Sequence, residues 1–65
     1  MKRIQIYNLK PETWIFFQGK LLYFKEKTKN AMSICYHRKI PVMLYPWDVV
    51  TVAAISDKVT TEGWV

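Results

Sequence analysis

The 65-residue sequence predicts an all-β domain, a small barrel of five short strands with a one-turn 3₁₀ break before the last. Three observations carry this expectation. Runs of β-favouring residues between Thr13 and Ala54 are separated by brief turn signals, and Gly19 lies between two of the densest. Pro11 closes off any helix through the first loop, while Pro41 and Pro46 punctuate the later runs.

Residues 2–7 alternate polar side chains with Ile4 and Ile6, which suits a half-buried strand. Residues 8–12 read as a loop, in which Pro11 lacks an amide donor and holds Lys10 extended. Residues 13–18 form a β run that turns at Gln18-Gly19, because glycine takes a positive φ without a Cβ clash, and the chain returns over 21–25. On the return strand Leu22 and Phe24 share the inward face, and Tyr23 and Lys25 share the other. Opposite the inward pair stand either Ile15 and Phe17 or Trp14 and Phe16. Residues 26–30 link to the next strand, with Asn30 suited to a left-handed turn position. Residues 31–37 carry Met32, Ile34 and Tyr36 against Ser33, Cys35 and His37, and Arg38-Lys39 makes the next turn. Residues 40–45 follow as a strand in which Pro41 must lie at a sheet edge or at the strand's first residue, since it cannot donate to a ladder. Pro46-Trp47-Asp48 supplies the one-turn break, and 49–54 resumes as a β-branched strand. The tail, 55–65, is more polar and expected to be less ordered, with Trp64 as its anchor on the body of the domain.

Short strands with this break resemble a small SH3-like barrel over residues 4–54. Leu9-Lys10-Pro11-Glu12-Thr13-Trp14-Ile15 resembles the strand-opening segment of such barrels, and Tyr45-Pro46-Trp47-Asp48-Val49-Val50-Thr51-Val52 resembles their 3₁₀-then-strand ending. The resemblance implies a fold and no site residue. That architecture serves nucleic-acid modules of ribosomes and transcription factors, peptide-binding adaptors, and small basic docking subunits of photosynthetic electron-transfer assemblies. The chain departs from signalling SH3 domains in lacking their acidic loop and clustered tyrosines, and from nucleic-acid-binding barrels in having Glu12 where a glycine is usual.

Length and composition bound the rest. A chain of 65 residues makes one small domain with a limited core, because the buried fraction of surface falls as chains shorten. A hydrophobic share of 51%, including ten aromatic residues, is too apolar for a disordered chain despite a net charge of +5. The lone cysteine, Cys35, excludes the internal disulfides that a secreted domain of this size would need, so a reducing, cytoplasmic location is expected. Gln5, Asn8, Lys10 and Glu12 interrupt the N-terminal segment before it forms a signal-peptide core. No apolar run approaches the ~20 residues of a membrane-spanning helix, and the chain is expected to be complete.

Charge is distributed unevenly. Residues 1–39 hold nine of the ten Lys and Arg against Glu12 and Glu26, a net of +7, while residues 40–65 carry −2. Lys20, Lys25, Lys27, Lys29, Arg38 and Lys39 fall in or beside predicted turns, where adjacent hairpin ends would gather them into a patch that attracts phosphates and releases counterions. A plainer alternative is that these residues solubilise turns and guard edge strands against pairing. Tyr7, Tyr23, Tyr36 and His37 interleave with the charges, although aromatic residues in so small a β protein mostly belong to the core. Tyr23 is the best candidate to stack on a base, since its strand face also carries Lys25.

Cys35 and His37 point the same way, but zinc needs two further ligands and a cysteine nucleophile needs an oriented base. A small half-buried Cys and a surface His near a turn are the expectation. Trp47, within Pro-Trp-Asp, is the chosen protein-interface anchor. No catalytic residues, metal site or cofactor loop can be assembled, Gly19 and Gly63 being too few for a phosphate loop. The sequence therefore leads to a non-enzymatic basic module for nucleic acid, without cofactor or membrane association, of a size that suits a phage, plasmid or other accessory-gene product. The alternative is a docking subunit that meets an acidic or apolar protein surface through the same lysines or through Trp47. Self-association through unpaired edge strands is a third option.

Overall fold

The computed structural model describes residues 3–53 and 62–65; the expected strand end at Ala54 and most of the expected tail lie outside the described residues. Six strands, β1 (Arg3–Gln5), β2 (Thr13–Phe17), β3 (Lys20–Lys27), β4 (Ser33–His37), β5 (Ile40–Leu44) and β6 (Val49–Val52), form one antiparallel sheet in the order β1-β6-β2-β3-β4-β5. The domain is all-β as expected, with six strands in place of five. The strand expected over residues 2–7 is present as Arg3–Gln5, pairing with Thr51, Val50 and Val49, and it gives way to a 3₁₀ turn from Ile6. The sheet is not closed: β1 and β5 remain as its edges, and Pro41 sits on the edge strand β5.

The 3₁₀ turn lies at Ile6–Asn8, directly after β1, and not before β6. Before β6 the chain makes a β-turn instead. The Asp48 N–H donates to the Tyr45 carbonyl at 3.0 Å, and Asp48 Oδ2 accepts from the Tyr45 N–H at 2.7 Å. The short acidic side chain thereby closes the turn from both sides and releases the chain straight into β6.

The β2–β3 register places Ile15 opposite Leu22 and Thr13 opposite Phe24, which selects Ile15 and Phe17 as the inward partners of Leu22 and Phe24. Trp14 and Phe16 take the outer face. Gln18 (φ 51°) and Gly19 (φ 76°) make the expected two-residue turn with both central residues left-handed, the geometry whose twist matches the flanking strands. The β4–β5 turn has the same form, but Arg38 (φ 51°) and Lys39 (φ 72°) build it without glycine or asparagine, at a cost on the order of 1 kcal/mol for each residue. Glu12, where a glycine is usual in nucleic-acid-binding barrels, is left-handed as well (φ 66°) and donates its N–H to the Phe24 carbonyl at 2.7 Å.

In the β3–β4 connection the left-handed position falls to Ala31 (φ 64°) and not to Asn30. Thr28 displaces it by one residue: its Oγ1 accepts the Met32 N–H at 3.2 Å, its N–H donates to the Met32 carbonyl at 2.8 Å, and its carbonyl accepts the Ala31 N–H at 3.1 Å.

The core consists of Ile6, Ile15, Leu22, Phe24, Cys35, Leu44 and Val50, flanked by Ile4, Leu9, Phe17 and Val42. Burying a side chain such as Phe24 or Leu22 stabilises the fold by roughly 1.5–3 kcal/mol. Ile6 joins the core because the 3₁₀ turn is bonded to the β5–β6 turn, Ile6 N–H to the Asp48 carbonyl at 2.8 Å and Tyr7 N–H to the Pro46 carbonyl at 3.1 Å. Ser33 is the exception in this apolar interior, since its hydroxyl is buried with no hydrogen-bond partner among the described residues. Replacing Ser33 by Ala should therefore raise stability by about 1 kcal/mol, by removing an unsatisfied polar group. A urea titration reads this directly, and a lower midpoint would show that the hydroxyl is bonded in solution.

Candidate functional site

Turns alternate between the two ends of an antiparallel meander, so the β2–β3 and β4–β5 turns leave the sheet at the same end. Lys20, opposite Phe17 at the start of β3, therefore lies beside Arg38 and Lys39, and all three are exposed. His37 Nδ1 lies 3.0 Å from the Leu21 carbonyl, which ties the two hairpins together just below their tips. Trp64 is bound at this end, as its role of anchor requires. Its carbonyl accepts the Lys39 N–H at 2.8 Å, and its ring meets Trp14 edge-on at 5.1 Å and His37 at 5.8 Å.

The outer face of the sheet carries a cross-strand row of Trp14, Tyr23, Tyr36 and Pro41. The Trp14 and Tyr23 rings are 4.9 Å apart, and Lys25 Nζ lies 5.6 Å from the Tyr36 ring centre. Tyr23 thus shares its face with Lys25 as the alternation predicted, but it is half-buried against Trp14. Burial raises its pKa above the usual tyrosine value of 10.0, and the Glu12 charge adds to the rise, so the hydroxyl stays protonated at neutral pH.

Lys25, Lys27 and Lys29 do not join the hairpin-end group. Lys25 is the extra residue of a β-bulge, since Phe24 pairs with Cys35 and Glu26 with Ile34. The bulge inverts the alternation beyond it. Glu26 takes the outer face, and Lys27, paired with the inward Ser33, turns away from Tyr23 and Lys25. Its ammonium reaches the N-terminal segment, where it donates to the Tyr7 carbonyl at 2.8 Å and lies 5.2 Å from the Tyr7 ring centre. Lys29 is exposed in the β3–β4 connection. At about 3.3 Å per residue, Lys27 lies about 23 Å along β3 from Lys20.

A further cluster surrounds the β5–β6 turn. Tyr45 and Trp47 flank Pro46 with their rings stacked at 4.9 Å and 5° between planes, and they are 51% and 63% exposed. Tyr7, 57% exposed, is joined to the same turn through its bond to the Pro46 carbonyl. The exposure of Trp47 was legible in the sequence, and that of Tyr45 and Tyr7 was not. A signal was present in Tyr-Pro-Trp-Asp, where an aspartate three residues after the tyrosine can close a turn that brings both rings to one side.

Cys35 is fully buried, whereas His37 is half-buried and engaged with the backbone. Among the described residues no group of three His, Cys, Asp or Glu is placed to hold a metal ion, and no pocket is present. No helix among them is long and apolar enough to cross a membrane. No protein-family profile, curated protein or solved structure matches the chain.

Burial pushes the Cys35 thiol up to about 12. The folded state then keeps its proton where the unfolded thiol, near 9.0, has lost it, so stability falls as pH rises from about 9 to about 12. The slope contributed by this group is about 1.4 kcal/mol per pH unit at most. Cys35→Ala should flatten the alkaline fall in a pH series of urea midpoints, and an unchanged slope would place the titrating group elsewhere.

Proposed function

We propose that this chain is a non-enzymatic, cytoplasmic binding module, built on a curled sheet of the SH3-like kind, that holds single-stranded nucleic acid at its hairpin end. Lys20, Arg38 and Lys39 neutralise phosphates there, while Lys25 and Tyr23 extend the contact along the outer face. The observation that carries this reading is the placing of three exposed cations on two neighbouring turns at one end of a sheet whose outer face carries a row of aromatic side chains. Phosphate neutralisation releases counterions, and an aromatic surface next to it suits unpaired bases, so the strand and not the duplex is the ligand. No recognition helix is present among the described residues to read a groove, which favours binding without base-specific readout.

Backbone strain supports the same reading. Solubilising a turn does not call for two left-handed non-glycine residues in succession, and Asn-Gly would satisfy this turn type at less cost. Arg38 and Lys39 occupy the turn despite that cost, which supports a role for them in what they contact.

The double substitution Arg38→Asn with Lys39→Gly separates the two roles. Stability should rise by about 1–2 kcal/mol as the strain is relieved. Affinity for single-stranded oligonucleotides should fall, and the log–log salt slope should flatten by roughly 0.7 for each phosphate that is no longer neutralised. Binding that keeps its salt slope would remove these residues from the interface. Undetectable binding of the unsubstituted chain to RNA and DNA at low salt would sink the nucleic-acid reading and leave docking to an acidic protein surface in its place.

A further inference from the structure

We infer that the β5–β6 turn is a second contact for the same strand: Tyr45 and Trp47 form a stacking platform for an unpaired nucleobase, with the Lys27 ammonium placed for an adjoining phosphate. The inference rests on the nucleic-acid reading and extends it to a region that the hairpin-end cations do not reach.

The platform is built before any ligand arrives. The two rings are already parallel, 5° apart at 4.9 Å, so the outer face of the pair offers a flat surface on which a third ring continues the stack. Their turn is held by four hydrogen bonds: the two between Tyr45 and Asp48, at 2.7 and 3.0 Å, and those from Ile6 and Tyr7 to Asp48 and Pro46, at 2.8 and 3.1 Å. A ligand therefore orders little backbone on binding, which lowers the entropic cost of capture. Exposed aromatic rings of 51% and 63% held in this way are not serving the core.

Charge selects the occupant. Lys27 Nζ gives one of its three protons to the Tyr7 carbonyl, which leaves two donors for an anion beside the rings. Lys29 is exposed on the connection that follows β3. Asp48, the acid of the turn itself, directs a carboxylate oxygen to the turn's own Tyr45 amide. A second copy of the chain would bring its own net charge of +5 against these lysines, whereas a nucleotide supplies a flat ring and an anion together.

The test compares a short oligothymidylate with an abasic phosphodiester of equal length, which has the same charge and no bases. Trp47→Ala should weaken oligothymidylate binding about 5- to 100-fold while leaving its salt slope and the abasic affinity unchanged. A variant carrying Trp14→Phe and Trp64→Phe, with Trp47 as the sole tryptophan, should lose fluorescence on adding oligothymidylate and not on adding the abasic strand. Equal weakening for both ligands, or unquenched Trp47 fluorescence while the strand binds, overturns the platform and leaves the hairpin-end reading standing. Failure of the unsubstituted chain to bind either ligand defeats both. A dimer in sedimentation that Trp47→Ala abolishes overturns it in favour of a second copy on this surface.

Discussion

The fold turns on β2, a five-residue strand with neighbours on both sides. Ile15 stands opposite Leu22 on β3 and opposite Val52 on β6, so one fully buried residue joins the meander of β3, β4 and β5 to the pair formed by β6 and β1. Neither part has a second apolar layer of its own among the described residues, and each buries its inward face only by curling toward the other across this strand. The Ala53 N–H, bonded to the Trp14 carbonyl at 2.9 Å, extends the junction by one further bond.

Curling brings together segments that are distant along the chain. The 3₁₀ turn after β1 meets the β5–β6 turn through backbone bonds, and Lys27 at the far end of β3 reaches the Tyr7 carbonyl. These contacts cover one region of the core with Ile6 and leave Tyr7, Tyr45 and Trp47 at the surface above it. At the hairpin end Trp64 plays a comparable part, lying between Trp14 and His37 while its carbonyl holds the Lys39 amide. Aromatic and basic side chains thus meet at two separate places on the molecule, each held by hydrogen bonds to backbone groups.

The bulge at Lys25 decides how the basic residues are shared between those places. Without it Lys25 and Lys27 would both stand on the face of Tyr23, as strict alternation from Leu22 onward requires. One extra residue inverts the faces, sends Lys27 toward Tyr7, and leaves Lys25 above Tyr36. A run that reads as a single lysine cluster becomes two sites because of one irregularity in strand pairing.

Local chemistry in the sequence determined the β class, the Gln18-Gly19 turn, the inward Leu22 and Phe24, and the restriction of Pro41 to a sheet edge or the first residue of a strand. Each follows from a period of two, a φ preference or a missing amide, and these act within a few residues of chain. Tertiary structure decided the rest: Ile15 and Phe17 over Trp14 and Phe16 as the inward pair, the 3₁₀ turn after β1, Ala31 in place of Asn30, and the pairing of Arg3–Gln5 with β6. It also decided the bulge and the meeting of Tyr7 with Pro46. These outcomes depend on which distant partner completes a strand's hydrogen bonds and covers its apolar face, a choice made by the whole sheet and by no local run of residues.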